Sequence, residues 1–126
     1  MIQVFDFTAP TALLLGRYQP WHDGHTALFK AALAKTGQVI IGVRDVQGVG
    51  DNPFSYSSVR DRMIEALAKH GYTFGKEYVV QYLPNIVDIS YGRDVGYTFT
   101  QHDLGQDTHA ISATAIRADM RERGEL

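Results

Sequence analysis

Two histidines, His22 and His25, stand three positions apart around Gly24, directly after an apolar run at residues 12–15 and directly before a segment of helical periodicity. Imidazole can donate a hydrogen bond, accept one, or bind a metal. A helix start adds unpaired N–H groups and the positive end of the helix dipole, so the pair lies where a phosphate can be held. Zinc would need a third ligand at a known spacing, which is missing nearby, and the expectation is an anion site with no protein-held metal. A second cluster, Ser112-Ala113-Thr114-Ala115-Ile116-Arg117, gathers two hydroxyls at another helix start with an arginine one turn later. Alone it also describes an ordinary capped helix. On the same sheet edge as the histidines it becomes a second phosphate-binding helix start.

The elements that must position these residues follow from periodicity. Residues 2–7 alternate loosely before Pro10 and read as an arm or edge strand, with the main domain running over 12–126. Residues 12–15 are continuously apolar up to Gly16, as in a strand buried in a parallel sheet. Asp23 can cap a helix beginning near Gly24, whose stripe of Leu28, Phe29, Ala32 and Leu33 ends at Gly37. Residues 39–43 form a second buried strand, followed by a polar, glycine-rich loop over 44–52, a surface loop at a strand's carboxyl end. Ser55, Ser57 or Ser58 can cap the next helix, which carries Val59, Met63, Ala66 and Leu67 inward and a Glu65–Lys69 pair outward. Strands are expected at 77–83, 87–91 and 97–104, and a last helix at about 113–123 with Ser112 as its cap. The order β-α-β-α-β-β-β-α is that of an α/β protein.

Several single residues carry alternatives. Trp21 can stack on an acceptor ring or wedge its loop against the core. Arg44 and Asp45 end the second strand and can either reach a substrate or be solvated. Arg93 and Asp94 follow Gly92 at another expected strand end. His102 and His109 read as structural, and His70 as a partner of a helix dipole.

Composition narrows the function class. The chain has 126 residues, enough for one core, and a formal net charge of −2. With no run of Lys and Arg, it lacks the footprint of a general nucleic-acid binder. The absence of cysteine excludes disulfides, thiolate zinc sites and a cysteine nucleophile. Neither a leader pattern nor a run of membrane-spanning length is visible, so a cytoplasmic protein without a membrane partner is expected.

The stretches 16–25 and 111–117 resemble the H-x-G-H and I-S-x-T-x-I-R signatures of the nucleotidyltransferase superfamily, which includes cytidylyl- and adenylyltransferases. The resemblance covers about 12–123 and implies a single-domain, Rossmann-like parallel sheet with helices on both faces. Gly16-Arg17-Tyr18-Gln19-Pro20-Trp21-His22 is similar to the G-R-F-Q-P-F-H version of nicotinamide mononucleotide adenylyltransferases, whereas cytidylyltransferases usually show G-x-F-D-x-x-H. The length is nearer to small glycerol-phosphate cytidylyltransferases, and residues 91–97 resemble a cytidylyltransferase-like domain found fused to adenylylsulfate kinases.

What the resemblance implies is transfer of a nucleoside monophosphate, AMP before CMP, from ATP or CTP to a small phosphorylated acceptor, with pyrophosphate leaving. His22, His25 and Arg117 would be the catalytic residues. Gly16, Arg17, Tyr18, Gln19, Gly24, Gly92, Arg93, Asp94, Ser112 and Thr114 would contact the nucleotide, and Trp21, Arg44 and Asp45 the acceptor. Magnesium would be carried on the phosphates, and pairing of small members makes a homo-oligomer a further implication. The alternatives are a cytidylyltransferase acting on a polyol or sugar phosphate and, of another class, a non-catalytic nucleotide-binding regulatory module.

Overall fold

Short apolar strands separated by amphipathic helices pair in parallel, because each helix carries the chain back to the sheet's starting edge. The structure, a computed structural model, describes residues 4–46, 50–93, 96–104 and 113–125, with only the backbone of Ala113. Its elements are β1 (Ala12–Gly16), α1 (Asp23–Thr36), β2 (Val39–Arg44), α2 (Tyr56–Lys69), β3 (Tyr78–Leu83) and α3 (Ala113–Glu122). The strands lie in the order β1-β2-β3, both pairings parallel, with Leu14 opposite Ile41 and Ile41 opposite Val80. This is a single small α/β domain of Rossmann-like order.

Right-handed crossovers between strands that are neighbours in both sequence and space carry their helices to the same side. Accordingly Leu14, Val39, Ile41, Val43 and Tyr78 share one core with Phe29 and Ala32 of α1 and Val59, Met63 and Leu67 of α2. From α3, Met120 joins that core and Ile116 packs against it. The other sheet face is more open, with Leu13 51% exposed.

Local signals set most boundaries. Gly37 ends α1 in the left-handed conformation at φ 88°, its N–H donating to the Leu33 carbonyl. Ser55 caps α2 by accepting from the Ser58 N–H at 3.2 Å, and Glu65 pairs with Lys69 at 3.8 Å. Gln38, 7% exposed, ties down the amino-terminal arm: its amide donates to the Asp6 carbonyl and accepts from the Asp6 N–H. The described part of the arm is therefore held by a side chain and forms no strand.

Two expected strands are corrected. Residues 87–91 and 97–104 are irregular, and Val87, Tyr91, Tyr97 and Phe99 are each more than 60% exposed. An alternating pattern becomes a strand only when a neighbouring backbone completes its ladder. Pro84, directly after β3, has no N–H, and the chain turns there through an Ile86 N–H to Pro84 carbonyl bond. Asp23 is likewise the first residue of α1 and not its cap, which is His22. The expected Ser112 cap lies outside the described residues. Among the described residues, no helix is long and apolar enough to cross a membrane.

Candidate nucleotide site

The site begins with the way α1 is capped. His22 Nδ1 accepts from the Gly24 N–H at 3.0 Å, and His25 Nδ1 accepts from the His22 N–H at 3.1 Å. This is a reciprocal capping box in which histidines fill the places usually held by Ser or Thr and Glu or Gln. A ring nitrogen that accepts carries no proton, so each neutral ring holds its proton on Nε2. Both histidines are thus Nε2–H donors at a helix start.

Packing keeps them neutral. The two rings stack with centroids 3.8 Å apart and planes 22° apart. Burial pushes His25 down to about 3, and a proton on the adjacent His22 would oppose one here. Burial also lowers His22, opposed by the Asp23 carboxylate. Tyr18 packs edge-on against His25 with ring centroids 4.9 Å apart, and Trp21 lies tilted against it at 5.3 Å. Trp21 is 7% exposed, and its indole N–H donates to the Thr26 hydroxyl at 2.8 Å. Trp21 is packed against its own loop, the wedge arrangement of its two sequence alternatives. Tyr18 is 4% exposed and holds a left-handed backbone, φ 54°, that a side chain rarely adopts. A Cβ on Gly16 would stand 3.0 Å from the Tyr18 ring, which explains the glycine at the end of β1.

Arg117 closes the site from α3. Only 2% exposed, it donates through Nη1 to the Gln19 carbonyl at 2.7 Å and through Nη2 to the Thr114 hydroxyl at 3.2 Å. Its Nη2 lies 3.7 Å from the exposed carboxylate of Asp51, and its buried Nε has no hydrogen-bond partner among the described residues. Arg117, bonded to Thr114 on α3, therefore meets the histidine loop at the Gln19 carbonyl. Arg17 donates to Asn52 Oδ1 at 3.3 Å, and Gln19 is buried against Phe54.

The remaining expectations divide. Arg44 donates to the Ile86 carbonyl, and its buried Nε has no hydrogen-bond partner among the described residues. Asp45 accepts from the Tyr82 hydroxyl, so this strand-end pair is tied to neighbouring backbone and side chain. Gly92 stands in open space and Arg93 is exposed; no contact joins them to the histidines among the described residues. Asp94 and Ser112 lie outside the described residues. His70 ends α2 as its cap, its Nδ1 3.2 Å from Lys30 Nζ.

Sequence reasoning missed Asp51, Asn52 and Phe54. The signal was an Asn-Pro-Phe run in an otherwise polar, glycine-rich loop. Residues of that kind have something specific to pack against.

The donors gathered here are neutral imidazole N–H groups and guanidinium cations, which suit phosphate oxygens. Magnesium prefers hard oxygen ligands and keeps several waters. Among the described residues no group of three or more His, Cys, Asp or Glu could hold a metal ion. The residues present fit magnesium as a companion of bound phosphates.

The chain is similar to known proteins. A family model described as cytidylyltransferase-like matches residues 13–90. The nicotinamide-nucleotide adenylyltransferase of Thermococcus onnurineus is 34% identical over 115 residues, covering 89% of this chain and 58% of its own length. Those of Thermococcus sibiricus and Methanococcus aeolicus are 36% and 32% identical over 76 and 65 residues, covering 59% and 50% of this chain and 40% and 38% of theirs. The chain spans roughly two-fifths to three-fifths of the length of these relatives. With more than half of its residues matched by the family model, the chain belongs to the cytidylyltransferase-like family of nucleotidyltransferases.

Proposed function

We propose that this protein transfers AMP from ATP to a small phosphorylated acceptor and releases pyrophosphate. The observation that carries the reading is the reciprocal His22–His25 cap, which occupies both Nδ1 atoms and leaves two neutral Nε2–H donors for phosphate oxygens. The names of the relatives support adenylyl over cytidylyl transfer.

In this reaction an acceptor phosphate oxygen attacks the α-phosphorus of ATP in line. The bond from that phosphorus to the oxygen bridging to the β-phosphate breaks, and its electron pair leaves with pyrophosphate. The attacking oxygen is already anionic, so no general base is required. The chain has to position the two substrates and stabilise charge spreading over the phosphoryl oxygens. His22 and His25 donate to the oxygens around the reacting phosphorus. Fixed neutral donors do this without reorganising as charge develops. Arg117 and Thr114 face the departing phosphates, Ser112 is retained with them on the family resemblance alone, and Arg17 supplies a further cation. Gly92, Arg93 and Asp94 are retained as nucleotide contacts on the family resemblance alone. Magnesium would come with the phosphates and would supply additional neutralisation of the triphosphate.

Incubation with ATP or CTP and a panel of phosphorylated acceptors, scored by pyrophosphate release, tests the proposal. Nicotinamide mononucleotide is the first acceptor to try, because the relatives are named for that substrate class. Release with ATP, reduced roughly 100-fold or more by His22→Ala, is expected. Release with CTP and a polyol or sugar phosphate would make the protein a cytidylyltransferase. Tight triphosphate binding without release for any acceptor would leave a nucleotide-binding module.

A further inference from the structure

Resting on that nucleotide reading, we propose that Gln19 is a positioning residue. It latches residues 50–54 of the β2–α2 connection into the site wall, so that Asp51 and Asn52 aim Arg117 and Arg17 at the triphosphate.

The latch is a two-point contact. Gln19 Nε2 donates to the Phe54 carbonyl at 3.0 Å, and Gln19 Oε1 accepts from the Phe54 N–H at 2.8 Å. Both residues are buried, at 4% and 5% exposure. An amide that pairs with both backbone groups of one residue fixes the distance and the rotation of that backbone together. An apolar side chain of the same size would fix neither.

What the latch holds is connected to both motifs. Asn52, 6% exposed, accepts from Arg17 Nη1 at 3.3 Å. The Asp51 carboxylate stands 3.7 Å from Arg117 Nη2, and Arg121 Nη2 donates to the Gly50 carbonyl at 2.8 Å. The Gln19 carbonyl itself receives Arg117. One buried glutamine therefore joins the histidine loop, the 50–54 segment and α3. Its amide orients the segment that orients the two arginines. Asp51, 76% exposed, is a weak and exchangeable partner that yields to an arriving phosphate, whereas buried Asn52 stays in place.

A purely structural staple and a positioning residue differ in what they move. Gln19→Met keeps the length of the side chain and deletes both hydrogen bonds. In this variant the Kd for ATP with magnesium rises about tenfold, as expected for losing roughly one net hydrogen bond's worth of alignment. Hydrogen exchange at the Phe54 N–H quickens, while the strand amides of β1 and β2 keep their protection. Gln19→Glu still accepts from Phe54 but sets a carboxylate against its carbonyl, and it weakens ATP at least as much. If Gln19→Met does not fold, the exchange and affinity of Gln19→Glu and Asn52→Ala decide the matter. The double variant with Asn52→Ala should lose less ATP affinity than the two single losses combined, because both act along one path.

Unchanged ATP affinity in Gln19→Met despite a loosened Phe54, or strictly additive losses in the double variant, would overturn the latch. A wild-type protein that binds no triphosphate overturns the nucleotide reading and the latch's role with it. These two failures are distinguished by the wild-type titration alone.

Discussion

Arg117 Nη1 donates to the backbone carbonyl of Gln19 across 2.7 Å, joining positions 98 residues apart in the sequence. A guanidinium with 2% exposure cannot be solvated, so its hydrogen bonds hold it in place and hold α3 against the histidine loop. Arg117→Met should therefore lower the unfolding free energy by about 2 kcal/mol, the scale of a lost charged hydrogen bond, measurable by urea denaturation. Arg117→Lys keeps the charge and loses the fork, and it should restore less than half of the lost ATP affinity.

His25 gives the protein a stability slope on the acid side. Its folded pKa, about 3, lies below the ordinary 6.5, so the unfolded chain binds the extra proton between these values. Stability from this group is present in full above pH 6.5 and is lost as pH falls toward 3. The loss is of the order of a few kcal/mol. In His25→Asn the amide oxygen can still accept from the His22 N–H, and the difference in unfolding free energy from wild type should shrink as pH drops from 7 to 4. A constant difference over that range would contradict a neutral, buried His25.

Trp21 packs on His25 and is fixed by its bond to Thr26. Trp21→Phe removes the indole N–H bond to Thr26 and part of the packing on His25, at a cost of about 1–2 kcal/mol in stability. The KM for the acceptor should stay within twofold of wild type while turnover falls. An acceptor KM raised tenfold with stability unchanged would place the ring against substrate instead.

Gly16 offers a test of ring placement. The added methyl in Gly16→Ala would lie 3.0 Å from the Tyr18 ring, which must shift by a few tenths of an ångström. Tyr18 packs on His25, so turnover should drop more than stability, which changes by about 1 kcal/mol. Melting temperature and turnover measured on the same preparation separate the two.

What the sequence determined by itself was local. The three-residue spacing of His22 and His25 at a loop-to-helix junction, the apolar stripes of α1 and α2 and the Gly37 stop depend on neighbours within a few positions. Each is present within about a residue of where periodicity and capping chemistry place it. Even there the cap was misassigned, because imidazole is an unusual cap and Asp23 a common one. Tertiary structure decided the rest. Residues 87–91 alternate like a strand yet form no ladder, since a strand exists only with a partner backbone that its own sequence does not specify. Trp21 could face ligand or core until Tyr18, His25 and Thr26 closed around it. Gln19 was one letter of a motif until the fold brought Phe54, 35 residues away, within reach of both ends of its amide. Hydrogen bonds between distant segments leave no periodic trace in the chain, because they depend on how loops are brought together and not on the pitch of a helix or strand.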